Sequence, residues 1–297
     1  MALLNKISNQ LISSVNEKWY RMTEPVKLAY LRNKYEKFYG PDEPEPKIFV
    51  YTATYNRSKI LRERAIETVL SQTYNNFVYL IVGDCCTDDT AEVVKKVRDP
   101  RVKFLSVAKR GYRYPPTPEN HWFAGGVVAQ NTALNAVPDD CTWLARLDDD
   151  DLWAQDHLES SLQFALSGNY ECVTSGTRSV RYGTEKDIYG DLLYGPYYQE
   201  PLPVTDRYIY NPQIGAINTL LCRSYLKYFK YNLSCWRKKH NKTNDGDLFH
   251  RLGLAGVRMG FLEKINFYCI PRPGEETIGL DAYRAKKQEI IDHYAFK

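Results

Sequence analysis

Thr142-Trp-Leu-Ala-Arg-Leu147 runs directly into Asp148-Asp149-Asp150-Asp151, a short, mostly apolar strand pattern that ends in four carboxylates. On its N-terminal side, Val127 to Val137 reads as a helix and Val102 to Val107 as a strand. Before those, Phe77 to Val82 is a strand that ends in the polar turn Asp84-Cys-Cys-Thr-Asp-Asp-Thr90. That turn opens a helix with Ala91, Val94 and Val97 facing inward and Thr87 or Asp88 placed to cap its free amides. Earlier still, Lys47-Ile-Phe-Val-Tyr-Thr-Ala53 reads as a buried strand, and Ser58 to Gln72 carries Leu61, Ile66, Val69 and Leu70 on one helical face. Strands alternating with helices predict an α/β fold, a mostly parallel sheet flanked by helices. Ligands of such sheets bind beyond the carboxyl ends of the strands. The polar clusters Thr54-Tyr-Asn-Arg57, Asp84 and Asp148 to Asp151 each follow a strand, so they are expected to meet in one crevice.

The 297 residues are 43% hydrophobic and 26% charged, enough to bury a substantial core. Forty basic against 36 acidic residues leave a net charge of +4, too balanced to suggest nucleic acid, although a local basic patch can still meet a phosphate. The seven cysteines form no CxxC pair, so neither zinc nor a redox dithiol is indicated, and reduced thiols in a cytoplasmic protein fit best. No segment approaches the ~20 apolar residues that span a bilayer, and the N-terminus lacks a signal-peptide core. The Asn-x-Ser/Thr sequons at Asn56, Asn232 and Asn241 then carry no weight. Residues 1 to 46 read as a helical extension and linker, in which Leu3, Leu4, Ile7, Leu11, Ile12, Val15, Trp19 and Tyr20 mix with basic residues before Pro41, Pro44 and Pro46. That helix either packs on its own domain, the preferred reading, or docks peripherally on a membrane face or a partner. After about residue 170 the alternation loosens into a mixed region, with a last helix around Asp247 to Leu254.

Four adjacent aspartates repel one another, so they are either well solvated or neutralised by a hard cation on oxygen ligands, Mg²⁺ or Mn²⁺. An ion that keeps several waters and one or two carboxylates also grips substrate phosphates. The plain alternative is an acidic loop or helix start. Neither GxxxxGK[ST] nor GxGxxG occurs, which removes the P-loop and dinucleotide readings. Leu152-Trp153 stands where an aspartyl phosphatase expects a hydroxyl residue, and the Gly and Glu offsets of an EF-hand are missing.

Taken in order, Thr54-Tyr-Asn-Arg57, Val69-Leu-Ser-Gln-Thr-Tyr74, Leu80-Ile-Val-Gly-Asp-Cys-Cys-Thr-Asp-Asp-Thr90, Asn131 and Leu147-Asp-Asp-Asp-Asp-Leu-Trp153 resemble the nucleotide-binding half of family 2 glycosyltransferases with the GT-A fold. Asn244-Asp-Gly-Asp-Leu-Phe-His-Arg-Leu252 resembles the family's later Glu-Asp-x-Asp-Leu motif. The resemblance implies residues 47–160 as the nucleotide-sugar half, 161–297 as the acceptor half, and an inverting, metal-dependent transfer to a saccharide or lipid-linked acceptor in polysaccharide or glycoconjugate synthesis. It further implies that Thr54, Tyr55, Arg57 and Asn131 serve the nucleotide pocket of a UDP-linked donor and that Asp84 accepts from the base. Asp148, Asp149 and Asp150 match the DxD signature: Asp150 first, then Asp148, on the metal; Asp148 or Asp149 near the ribose or sugar; Asp151 in support or as a helix cap. Asp245 matches the general base, against the alternative of a cap for the helix near Asp247.

Departures from the pattern are Gly83 for an acidic residue, Cys85-Cys86 for a Gly-Ser turn, Gln130 for Arg and Asn244 for Glu. Lys109, Arg110 and Arg113 can supply phosphate charge in compensation, or form a solvated basic loop. Tyr182, Tyr189, Tyr194, Tyr197, Tyr198, Tyr208 and Tyr210 crowd one segment, a candidate acceptor wall, and Trp236 is the aromatic expected beside the acceptor. His240 and His250 are weaker candidates for metal or phosphate. The rival readings are a nucleotidyltransferase, which should carry a Gly-rich basic loop after the first strand, and a non-catalytic, Ca²⁺-dependent sugar- or nucleotide-binding module.

Overall fold

The computed structural model describes residues 2–36, 45–110, 114–189, 214–238 and 242–286, with the side chains of its first helix described from residue 15 onward. That helix, α1 (Ala2–Tyr35), precedes β1 (Ile48–Thr54). The next helix, α2, is α-helical over Ser58–Leu61, widens to a π-turn over Arg62–Ile66 and returns to α over Glu67–Leu70. Then follow β2 (Phe77–Gly83), α3 (Thr90–Lys95), β3 (Val102–Ser106), α4 (Pro118–Ala124), α5 (Val127–Asn135) and β4 (Trp143–Arg146). The remainder comprises β5 (Leu152–Trp153), α6 (His157–Ser167), β6 (Cys172–Arg181), β7 (Thr184–Ile188), β8 (Leu221–Arg223), α7 (Asn244–Ala255), β9 (Met259–Cys269) and α8 (Gly279–Ala285).

One sheet runs β3-β2-β1-β4-β8-β6-β9-β5, with β7 also paired to β6. The first four strands are parallel; β8 turns antiparallel to β4, and β6 to β8. This is the α/β fold expected from the alternating pattern, continued into a mixed region by later strands. Along β1, Phe49 and Tyr51 pack into one core while Ile48 and Val50 pack into another, so the strand separates two hydrophobic layers by its period of two. Each such side chain, fully buried, stabilises the fold by about 1.5–3 kcal/mol. Leu28 and Leu31 of α1 join the first layer, and α1 packs along α7.

In this strand order the chain leaves β1 toward β2 and β3 on one side, while β4 lies on the other. The crevice between the ends of β1 and β4 is therefore the topological switch point, where open α/β sheets bind ligands. Opposite it, the β6–β9 register shifts around Gly176, where a Cβ would lie 2.9 Å from the Lys264 carbonyl oxygen, and the bulge bends β6 as it reaches the cleft. At the start of α3, Asp88 rather than Thr87 accepts the Thr90 amide, at 3.2 Å.

Candidate active site

The switch-point crevice opens into a cleft of about 1550 Å³, larger than the 300–1,000 Å³ of a usual small-molecule pocket. Thr54, Tyr55 and Arg57 line it from the end of β1, Asp84 from β2, and Asp148 to Asp151 from β4. The three polar clusters expected to converge do so.

Protein cations pair with three of the four aspartates, Asp148, Asp149 and Asp150, and the neutral Asn218 amide binds the fourth, Asp151. Thr54 Oγ1 donates to Asp149 Oδ2 at 2.7 Å across the crevice, and Arg57 Nη1 donates to Asp149 Oδ1 at 2.8 Å and Asp150 Oδ2 at 3.2 Å. Arg272 Nη1 approaches Asp150 Oδ2 at 3.6 Å, and Arg64 binds the Asp150 carbonyl oxygen. Asn218 Nδ2 donates to Asp148 Oδ2 at 3.1 Å and to Asp151 Oδ2 at 2.8 Å. Burial opposes ionisation of Asp150, but Arg57, Arg272 and Arg64 outweigh it and hold the carboxyl below its ordinary value. Burial, then Asp150 and Asp148, push Asp151 well above the usual carboxylate range. Asp149 is also raised, by burial first, with Arg57 opposing. Asp151 is no helix cap, since β5 follows it directly and α6 begins at His157.

Arg146 ends β4 beside this group, only 4% exposed. Its Nη2 donates to Asp148 Oδ1 at 2.9 Å and its Nη1 to Asp245 Oδ1 at 2.9 Å and Tyr231 OH at 3.1 Å. Tyr231 OH is in turn 2.9 Å from Tyr51 OH. Asp245 sits in the first turn of α7, which starts at Asn244 rather than near Asp247. The cap of α7 is Thr243, whose Oγ1 accepts from the Gly246 amide at 3.0 Å. The capping alternative for Asp245 thus falls. Its carboxylate is turned into the cleft, where burial raises its pKa, Arg146 lowers it and Asp148 raises it, for a net upward shift.

At the outer end, Arg110 Nε meets Asp84 Oδ2 at 3.3 Å, and its guanidinium lies 3.7 Å from the centre of the Tyr55 ring. Cys85 adopts φ 58°, the left-handed conformation that favours glycine. Its thiol contacts the Val107 carbonyl oxygen at 3.0 Å. The turn thus keeps its shape without the glycine.

The glycosyl transferase family 2 profile matches residues 49–229, more than half of the chain. The chain belongs to glycosyl transferase family 2. Its relatives include the UDP-Glc:alpha-D-GlcNAc-diphosphoundecaprenol beta-1,3-glucosyltransferase WfgD of Escherichia coli, 26% identical over 184 residues, 62% of this chain and 63% of WfgD. The putative teichuronic acid biosynthesis glycosyltransferase TuaG of Bacillus subtilis is 28% identical over 181 residues, 60% of this chain and 63% of TuaG. The chain thus spans just under two thirds of these relatives' length. S. aureus TarS residues 1–349, in complex with UDP-GlcNAc, shares the fold with a TM-score of 0.54 at 19% identity, over 77% of this chain and 60% of that one. The fold of this family 2 chain is of the GT-A type.

Several residues expected at the family 2 site lie elsewhere. Asn131 clamps the backbone of Tyr231, donating to its carbonyl oxygen at 2.9 Å and accepting from its amide at 2.8 Å, and does not line the cleft. Lys109 is exposed outside the cleft lining, whereas Arg110 is part of it. Trp236 is half-buried against the core, likewise outside the lining; Trp122, Phe123 and Phe249 line the cleft instead, with Tyr189 from the Tyr-rich segment. His250 faces Glu17 of α1, Nε2 to Oε2 at 2.8 Å, and does not line the cleft. Arg113, His240, Tyr194, Tyr197, Tyr198, Tyr208 and Tyr210 lie outside the described residues. Arg146, Asn218 and Arg272 went unnoticed in the sequence. A charged residue in an otherwise apolar central strand was a signal for Arg146; the other two had none.

The acidic run offers hard oxygen donors, chiefly the ionised Asp150, its side chain 23% exposed, and Asp148, 34% exposed. Among the described residues no group of three or more His, Cys, Asp or Glu surrounds a common ion position. That donor set fits an ion held by one or two carboxylates and completed by water and phosphate, the habit of Mg²⁺. No described helix is long and apolar enough to cross a membrane.

Proposed function

We propose that this chain is an inverting glycosyltransferase that moves a sugar from a nucleotide diphosphate carrier, UDP-linked by preference, onto a saccharide or lipid-linked acceptor of a surface polysaccharide. The observation that carries the reading is the single buried guanidinium of Arg146, which joins Asp148 of the acidic run to Asp245 of α7. Asp245, the base in this reading, is thereby held one guanidinium away from the acidic run. Tyr55, Arg57 and Asp84 receive the nucleotide from residues 47–160, and residues 161–297 present the acceptor. Asp245 removes the proton from the acceptor hydroxyl as its oxygen attacks the anomeric carbon; the bond from that carbon to the diphosphate oxygen breaks, and the configuration inverts. Asp150, with Asp148 in support, would hold Mg²⁺ or Mn²⁺, which when bound neutralises charge developing on the leaving diphosphate. Arg57 and Arg272, which flank Asp150, would add two further cations for those phosphates. The names of WfgD and TuaG, which specify a UDP-glucose donor, a diphosphoundecaprenol-linked acceptor and teichuronic acid, support the donor and acceptor classes.

The test is a panel of nucleotide sugars incubated with purified protein and Mn²⁺ or Mg²⁺, read as released nucleoside diphosphate, beside Asp150→Ala and Asp245→Asn. Metal-dependent release from one donor, lost in Asp150→Ala, is expected. No release from any donor, with no thermal stabilisation by UDP or GDP plus metal, would leave the fold without the activity.

A further inference from the structure

Of the eleven large hydrophobic side chains exposed among the described residues, five lie on α1: Val15, Trp19, Met22, Val26 and Tyr30, each 60–71% exposed. Their spacing of four, three, four and four residues places them in one stripe along the helix. The opposite face carries the buried Leu28, Leu31 and Glu24 that seat α1 on the domain. Two more exposed apolar side chains adjoin the helix: Tyr228 stacks on Tyr35 at 5.9 Å between ring centres, and Leu233 follows Asn232, whose amide donates to Tyr20 OH at 3.1 Å. Isolated exposed hydrophobics are ordinary, but a continuous stripe marks a surface that meets something apolar.

Charge indicates what that is. Every carboxylate on residues 15–36 is engaged by a cation: Glu17 by Arg21, Glu24 by Lys27 and Arg251, Glu36 by Arg258. The lysines flanking the stripe, Lys18 and Lys34, are exposed. The outer face is thus apolar with a basic border and no uncompensated acid. Trp19 and Tyr30, apolar bodies with polar tips, suit a headgroup boundary, whereas a two-helix seam favours branched aliphatics. We propose that α1 is an interfacial helix that docks this stripe into the surface of an anionic lipid bilayer. The proposal rests on the reading of the acceptor as lipid-linked, and it gives α1 a job: α1 packs directly on α7, which carries Asp245 at its first turn, so docking tethers the helix that bears Asp245 to the membrane.

The experiment is co-sedimentation of the full chain with vesicles of phosphatidylcholine, alone or mixed with phosphatidylglycerol, at low and high salt. The variants are Trp19→Ser/Met22→Ser/Val26→Ser and Lys18→Glu/Lys34→Glu, with donor hydrolysis and oligomeric state measured in parallel. The expected result is binding to the anionic vesicles at least tenfold tighter than to phosphatidylcholine, weakened at least tenfold by the triple substitution and by the charge reversal. All these surface variants should keep the wild-type melting temperature and hydrolyse donor as before. Wild-type protein left in the supernatant, or a triple variant that binds as well as wild type, would overturn the proposal. So would a concentration-dependent dimer abolished by the triple variant, which would identify a second copy as the occupant. Vesicle binding without turnover of any nucleotide sugar would sink the catalytic reading and leave the lipid-docking face standing.

Discussion

Arg146 Nη1 donates to Asp245 Oδ1 at 2.9 Å, joining the end of β4 to the first turn of α7 across 99 residues of chain. If Asp245 is the base, Asp245→Asn keeps the shape and the hydrogen bond from Arg146 but cannot take a proton. Transfer should fall about 10²–10⁴-fold, the usual contribution of general-base catalysis, with UDP affinity unchanged. Steady-state kinetics beside calorimetric titration of UDP separates the two, and full transfer in this variant would remove Asp245 from the mechanism.

Arg146 itself compensates two carboxylates. Arg146→Met leaves Asp148 and Asp245 without their shared cation and should cost about 1–3 kcal/mol of stability, less than a fully buried pair because both carboxylates are about a third exposed. Arg146→Lys keeps charge but cannot reach both carboxylates with a planar fork, so it should retain most of the stability and lose activity. Denaturant unfolding of the two variants decides this.

The acid limb of the rate profile follows from the upward shift of Asp245. A raised carboxyl binds its proton at a higher pH than an ordinary aspartate, so the base is lost as pH falls through that raised value. The limb of kcat/KM should therefore lie above the ordinary aspartate range and disappear in Asp245→Asn. A rate that stays flat down to the ordinary aspartate value contradicts the assignment.

Arg57 is the cation that relieves the buried Asp149. Arg57→Ala should weaken donor binding and lower the melting temperature together, whereas a chelator should stop donor turnover with little change in the melting temperature of the donor-free protein. A chelator that leaves turnover intact removes the metal from the mechanism.

Glu171 anchors α1 to the sheet. It accepts from Arg32 Nε at 2.7 Å, Arg32 Nη2 at 2.6 Å, Tyr225 OH at 2.6 Å and the Arg258 amide at 2.7 Å. Burial would raise this carboxyl, but those donors outweigh it and hold it below its ordinary value. A lowered folded pKa stabilises the protein above the ordinary carboxylate range, and that contribution fades as pH falls through the folded value. Glu171→Gln should cost about 3 kcal/mol near neutrality and progressively less in acid, read by thermal melts across pH.

The alternating elements were legible because each helix and strand declares its period locally: β1, β2, β3 and β4 begin and end within one residue of the expected bounds. The clusters after β1, β2 and β4 were legible too, since a parallel sheet brings the carboxyl ends of its strands together. Asn131 and Trp236 were not, because a motif gives order along the chain and not the direction of a side chain; Asn131 turns to the Tyr231 backbone instead of the cleft. The cap of α7 was missed for a smaller reason, since Thr243 begins the helix earlier than the apolar pattern alone suggests.

By itself the sequence determined the layered α/β architecture, the position of the crevice and the acidic run within it, because burial patterns and strand ends are local properties that a parallel sheet converts into fixed places. Only the tertiary structure decided how four adjacent carboxylates coexist and which of them faces Asp245. Those outcomes depend on Arg57, Arg146, Asn218 and Arg272, residues far apart in the chain whose charges and hydrogen bonds count only once folding has buried them within a few ångströms of the aspartates.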